Sequence, residues 1–186
     1  MTGEDGTTNL GPNMLRKCRT EETALILAII NAAAEVYRGA IPADCWHEPY
    51  MSAAELDAEL SAGVEFWGYE QQGRLVGVMG AQAVRDVDLI RHAYVRPSSQ
   101  GRGVGAALIG HLRGRSARRM LVGTWAAASW AIRFYERHGF QLLEPQAIRR
   151  LLATYWRISA RQLETSVVLA NPPYTEAAQQ SSAVRR

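Results

Sequence analysis

Between Tyr94 and Ile109 the chain reads Tyr-Val-Arg-Pro-Ser-Ser-Gln-Gly-Arg-Gly-Val-Gly-Ala-Ala-Leu-Ile, a strand end, a glycine-rich turn and a helix start in sixteen residues. Glycines at 101, 103 and 105 permit backbone conformations closed to other residues and leave no Cβ between the main-chain amides and a ligand. Because the turn opens a helix, those amides and the helix dipole make a seat for phosphate oxygens, to which Arg102 adds charge. Two other phosphate-binding turns fail on residues: a P-loop requires Gly-Lys-Ser/Thr, and the dinucleotide fingerprint requires an acid about 20 residues further on. Neither is present.

The periodicities around this turn predict one mixed α/β domain over residues 13–170, with flexible tails at 1–12 and 171–186. A short strand at 13–19 precedes a helix capped by Thr20 and running to Tyr37. Gly39 to Met51 reads as a loop, and Ser52 caps a short acidic helix to Leu60. Residues 64–69, 74–82 and 87–95 form an antiparallel meander. After the turn come a helix at 103–113, a buried-type strand at 120–125, a helix at 128–138 stopped by Gly139, a short strand at 140–143 and a helix from Pro145 to Trp156. A last strand is expected over Gln162 to Ala170. The longest apolar run, Ala24 to Ile30, is seven residues, far below the ~20 of a membrane helix. The amino terminus lacks a basic start and apolar run, which points to a cytoplasmic address. Cys18 and Cys45 sit in no metal-ligating or disulfide pattern, so both read as reduced structural thiols and no metal is expected.

Charge lies in blocks. Leu89 to Tyr135 holds eight arginines and no acid, whereas Gly39 to Gly73 holds seven acids and no Lys or Arg. The first block suggests an anionic ligand and the second a cationic one. Nucleic acid is disfavoured, because the arginines coincide with the glycine turn and lack an interleaved aromatic series.

Gln100-Gly-Arg-Gly-Val-Gly resembles the Gln/Arg-x-x-Gly-x-Gly/Ala signature of the GNAT (GCN5-related) N-acetyltransferase family, and Phe134-Tyr-Glu-Arg-His-Gly-Phe140 resembles that family's next segment. The element order agrees, with the helix from Pro145 to Trp156 as an addition. The resemblance implies a mixed, mostly antiparallel sheet flanked by helices and splayed between its fourth and fifth strands. Acetyl-CoA would lie in the gap as co-substrate, its diphosphate on the turn of Gln100, Gly101, Arg102, Gly103, Val104 and Gly105, its pantetheine along the strand edge from Ile90 to Val95, with Ala93, Tyr94, Val95 and Ala106 among the cofactor-binding residues. The implied activity is transfer of the acetyl group to a small cationic amine by direct attack in a ternary complex. The alternative is a non-catalytic acyl-CoA sensor; a homodimer stays open. Tyr135 is placed beside the sulfur as proton donor, and a backbone amide near Ala93 or Tyr94 would hold the oxyanion. Two groups compete for the base: His92 on the fourth strand and Glu48 in the loop before the second helix. Where the family commonly has an Asn, seven residues before the tyrosine, this chain has Ala128, with Ser129 or Thr124 as replacements for its contact to the cofactor.

Overall fold

The computed structural model describes residues 13–172; the expected tails, at 1–12 and from 173 onward, lie outside them. A seven-stranded sheet has the order β1-β2-β3-β4-β5-β7-β6. Strands β1 (Met14–Lys17), β2 (Glu65–Gln71), β3 (Arg74–Val84) and β4 (Val87–Val95) pair antiparallel, as the alternation of the meander predicts. β5 (Arg119–Trp125) joins β4 in parallel, and β7 (Ser166–Asn171) and β6 (Gln141–Leu142) complete the sheet antiparallel to one another. The β4–β5 ladder covers only Val87 to Ile90 against Arg119 to Val122. Beyond it the two strands part, β5 following β7 to Trp125 and β4 following β3 to Val95.

Alternation along the strands divides the core. On one face, α3 (Val104–Arg115) and α4 (Ser129–Arg137) cover Met79, Ile90, Met120, Val122 and Leu169 with Leu108, Ile109 and Tyr135. On the other, α1 (Thr23–Ala34) and α2 (Ala53–Ser61) bury Ile26, Ile29, Ile30 and Leu56 against Phe66, Leu75 and Val78. The added helix, α5 (Pro145–Tyr155), packs Ile148, Leu151 and Leu152 over Leu89, Leu121 and Val168 on this second face.

Three local expectations change. Thr20 does not cap the first helix: residues 20–22 form a 3-10 turn, and Glu22 folds back to accept from the Arg19 amide at 2.8 Å. Gln162 to Thr165 is not strand; α6 occupies Ala160–Thr165, because Ser159 and Gln162 form a reciprocal capping box. Asn171, expected in the tail, ends β7 opposite Met120.

Glu22 is buried and accepts from Nη1 and Nη2 of Arg16 at 2.7 Å, while Arg16 also reaches Glu70 at 2.7 Å. The Arg16 hydrogen bonds outweigh burial and hold the Glu22 carboxyl down at about 2. Since that value is depressed below the ordinary 4.5, the contribution is complete above pH 4.5 and is lost as pH falls toward 2. Glu22→Gln is expected to destabilise the fold by on the order of 2 kcal/mol at pH 7 and to flatten the acid limb of the stability curve. Denaturant melts at pH 7 and pH 3 check this; an unaltered difference between the two would remove Glu22 from the account.

Candidate active site

The parting of β4 from β5 opens a cavity of ≈ 860 Å³, lined from the glycine turn through Tyr135 to the α1–α2 side of the sheet. Its floor is set by one irregularity. Val78 pairs with Tyr94 and Gly80 with Arg91, so two residues of β4, His92 and Ala93, face one residue of β3. This is a β-bulge, and His92 adopts a left-handed φ of 48°. A bulge leaves main-chain groups of the extra residue outside the ladder and re-aims the side chains around it, here at the point where the sheet opens.

At the turn, Gly101 and Gly103 have φ of 71° and 80°, and a Cβ built on either meets nothing within 4 Å. Packing within the chain therefore does not require glycine here; the conformation and the open approach to the amides do. Gln100 closes the turn by donating from Nε2 to the Val95 carbonyl at 3.0 Å. Gly103 is the residue from which α3 begins, so the turn ends at a helix amino terminus as the pattern predicts. Gly105 sits under Phe134, whose ring leaves 3.1 Å for a Cβ there; close helix contact, not ligand approach, fixes this glycine.

Tyr135 is 6% exposed, lines the cavity and packs edge-on against Phe134 and Phe140. Burial, reinforced by the Tyr37 phenol nearby, pushes its ionisation well above the usual tyrosine range, so the phenol holds its proton. His92 and Glu59 meet on the opposite wall at 3.1 Å, Nε2 to Oε2. Their side chains are 17% and 24% exposed and both line the cavity. The contact lacks hydrogen-bond alignment: both atoms are buried without an aligned partner in the protein. Glu59 Oε1 is held by Arg91 at 2.6 Å. Burial opposes the Glu59 charge, but His92 and Arg91 outweigh it and keep the carboxyl below its ordinary value.

Of the residues singled out from sequence, Tyr135, His92, Ala93, Tyr94, Val95, Gln100, Gly101, Gly103, Val104, Gly105 and Ala106 all line this one cavity. Three do not. Glu48 is 70% exposed and pairs with Arg38 at 3.1 Å, outside the lining of the cavity. Arg102 and Ser129 are exposed, at the turn and at the first position of α4, and neither is among the lining residues. Glu59 was missed. It lies three residues after the buried Leu56, on the flank of the α2 apolar stripe, and that spacing was the available signal.

The charge blocks dissolve in the fold. Asp44 pairs with Arg161, Glu48 with Arg38, Glu65 with Lys17 and Glu70 with Arg16. Of the arginines, Arg91 is taken by Glu59, Arg96 by the Leu75 carbonyl, Arg113 by the His138 carbonyl and Arg118 by Asp88. Among the described residues no group of three or more His, Cys, Asp or Glu is placed to hold a metal ion, and no helix is long and apolar enough to cross a membrane.

Residues 62–142, which span β2 to β6 and so contain the bulge, the turn and Tyr135, match the family model described as an acetyltransferase (GNAT) domain. That stretch is similar to the GNAT acetyltransferase domain. Solved structures share its fold. The PaiA N-acetyltransferase of Thermoplasma acidophilum, in complex with coenzyme A, superposes with a TM-score of 0.64 at 14% identity over 86% of this chain and 98% of its own. The ribosomal-protein-S18-alanine N-acetyltransferase of Escherichia coli gives 0.60 at 17% identity, covering 88% of this chain and 100% of its own. A GNAT acetyltransferase of Brucella melitensis, in complex with acetyl-CoA, gives 0.52 at 22% identity over 70% and 83%. No curated protein matches by sequence. The parted sheet and mostly antiparallel layout expected of a GNAT domain are present; in the segment between α5 and α6 the Trp156 ring lies 3.3 Å from a Cβ built on Gly123 of β5.

Proposed function

We propose that the chain transfers the acetyl group of acetyl-CoA to the nitrogen of a small amine by direct attack in a ternary complex. The carrying observation is that one continuous cavity joins the glycine turn, a neutral buried phenol and a paired imidazole and carboxylate. The thioester supplies an activated acyl carbon. The open amides at Gly101 and Gly103 suit a diphosphate, and the exposed Arg102 offers a screened charge at the rim. The bulge at His92 and Ala93 offers a main-chain donor to the negative charge that develops on the acyl oxygen. The His92–Glu59 couple accepts the proton that an incoming ammonium must lose, and the ionised Glu59 stabilises the imidazolium so formed. Tyr135 donates a hydrogen bond to the departing sulfur. The C–N bond forms as the C–S bond breaks; the ammonium loses two protons, the sulfur gains one, and one is released to solvent. Glu48, outside the cavity, is assigned no step.

Thiol release from acetyl-CoA across a panel of amines tests this reading. Coenzyme A binding without turnover on any amine would instead mark an acyl-CoA sensor. The pH profile is a second check. Turnover is expected to rise with pH as the ammonium loses its proton, then to level rather than fall up to about pH 9.5, because burial keeps Tyr135 protonated there. A falling limb below that pH that disappears in Tyr135→Phe would contradict the state assigned to the phenol.

A further inference from the structure

The side of the cavity facing α1 and the α1–α2 loop is aromatic. Tyr37 stacks on Tyr50 with ring centroids 5.8 Å apart at 15°, meets Tyr94 edge-on at 6.5 Å and lies against Trp130 at 5.6 Å. Tyr50 also meets Tyr94 edge-on at 6.4 Å, and Trp46 backs it at 5.5 Å. Tyr37, Tyr50, Tyr94 and Trp130 all line the cavity, yet they come from the end of the first helical segment, a loop, β4 and α4. Trp125 Nε1 donates to the Tyr50 hydroxyl at 3.2 Å, and burial keeps the Tyr94 phenol protonated. Burial pushes the Tyr37 phenol up to about 12, so this wall carries no anion at neutral pH. What remains for a ligand is ring surface.

Acidic groups facing the same space are few. Among the described residues Glu55 and Glu59 are the carboxylates that line the cavity. Glu55 Oε2 is occupied by the amide and hydroxyl of Ser52, both at 2.7 Å. Glu59 Oε1 is occupied by Arg91, leaving Oε2 beside His92 without an aligned hydrogen-bond donor. One buried carboxylate oxygen accommodates one ammonium. A second cation would find only Glu55 Oε1, half-exposed and 3.8 Å from His47 Nε2, and would face the exposed Arg157, which also lines the cavity. Ring faces attract the edge and face of another ring, and they tolerate a nearby ammonium through its attraction to the π cloud.

Building on the acetyl-transfer reading, we infer that the acceptor is a primary monoamine with a flat aromatic body. Its ring occupies the wall of Tyr37, Tyr50, Tyr94 and Trp130, and its nitrogen is directed to Glu59 and His92. Polyamines are poorer acceptors.

The test uses the full chain with 2-phenylethylamine, n-butylamine, which has the same charge without the ring, and spermidine. The expected kcat/KM for 2-phenylethylamine exceeds that of n-butylamine by at least ~10-fold and that of spermidine by more, given aromatic contacts in addition to buried area. In Trp130→Leu and Tyr50→Leu the readout is the aryl-to-alkyl ratio, which is expected to fall toward ~1 whatever the absolute rate; coenzyme A binding by calorimetry certifies that each variant is folded. Calorimetric binding of the same amines to the coenzyme A complex supplies a readout without turnover. Acetylation with no aryl preference, or a ratio that survives both substitutions, overturns the acceptor inference alone. Aryl-selective binding with no acetylation overturns the catalytic reading alone. Neither binding preference nor acetylation overturns both.

Discussion

Tyr135→Phe is expected to lower turnover by about 10²-fold, within the range for loss of a positioned proton donor. The substitution removes one hydroxyl from a residue that is 6% exposed. Its ring contacts, to Phe134 at 5.1 Å and Phe140 at 5.6 Å, are kept. Stability and coenzyme A affinity should therefore change little, and the loss should appear in kcat with KM for acetyl-CoA nearly constant. The phenol is a donor rather than an anion because burial, the dominant influence, keeps it neutral. Stopped-flow or steady-state thiol release measures the effect. Turnover within twofold of the parent would exclude Tyr135 from proton donation, and a parallel fall in melting temperature would reassign it to packing.

The second large effect is expected at the turn. The double substitution of Gly101→Ala and Gly103→Ala should raise KM for acetyl-CoA by roughly 10- to 100-fold, since each forced left-handed φ costs about 1 to 3 kcal/mol and any relaxation re-aims the amides. A Cβ at either site meets no protein atom within 4 Å. The penalty is thus conformational and falls on the ligand as well as the fold. A modest drop in melting temperature accompanied by the rise in KM is the predicted combination. Unchanged KM would mean that the diphosphate is held elsewhere.

What the sequence made legible follows from how locally each feature is encoded. The meander, the glycine turn and the Phe134–Tyr135 helix rest on short-range patterns, and each forms where the pattern places it. The bulge depends on registry between β3 and β4 and has no local signature beyond His92 itself. α6 was misread because Val167 to Ala170 extended a β-like pattern backward across Ser159-x-x-Gln162, whose capping chemistry decides the matter. The two charge blocks are dispersed for a topological reason. Residues clustered along the chain are dispersed by folding, so Arg16 and Lys17 neutralise Glu70 and Glu65 across the β1–β2 pair. Glu48 was a candidate base because it lies in the loop before the second helix; Arg38, ten residues earlier, claims it at the surface. Conversely, Tyr37, Tyr50, Tyr94 and Trp130 are far apart in sequence, and only the crossing of β4, α4 and the α1–α2 loop assembles them.

The proposed transfer requires that a diphosphate seated on the amides of residues 100–105 bring a thioester sulfur to Tyr135. A crystal structure of the chain with acetyl-CoA tests it most directly. The account predicts phosphate oxygens within hydrogen-bonding distance of the Gly101 to Gly105 amides, the sulfur beside the Tyr135 hydroxyl, and the acyl carbon facing His92 and Glu59. Acetyl-CoA bound outside the gap between β4 and β5, or the Tyr135 hydroxyl turned away from the sulfur, would contradict it.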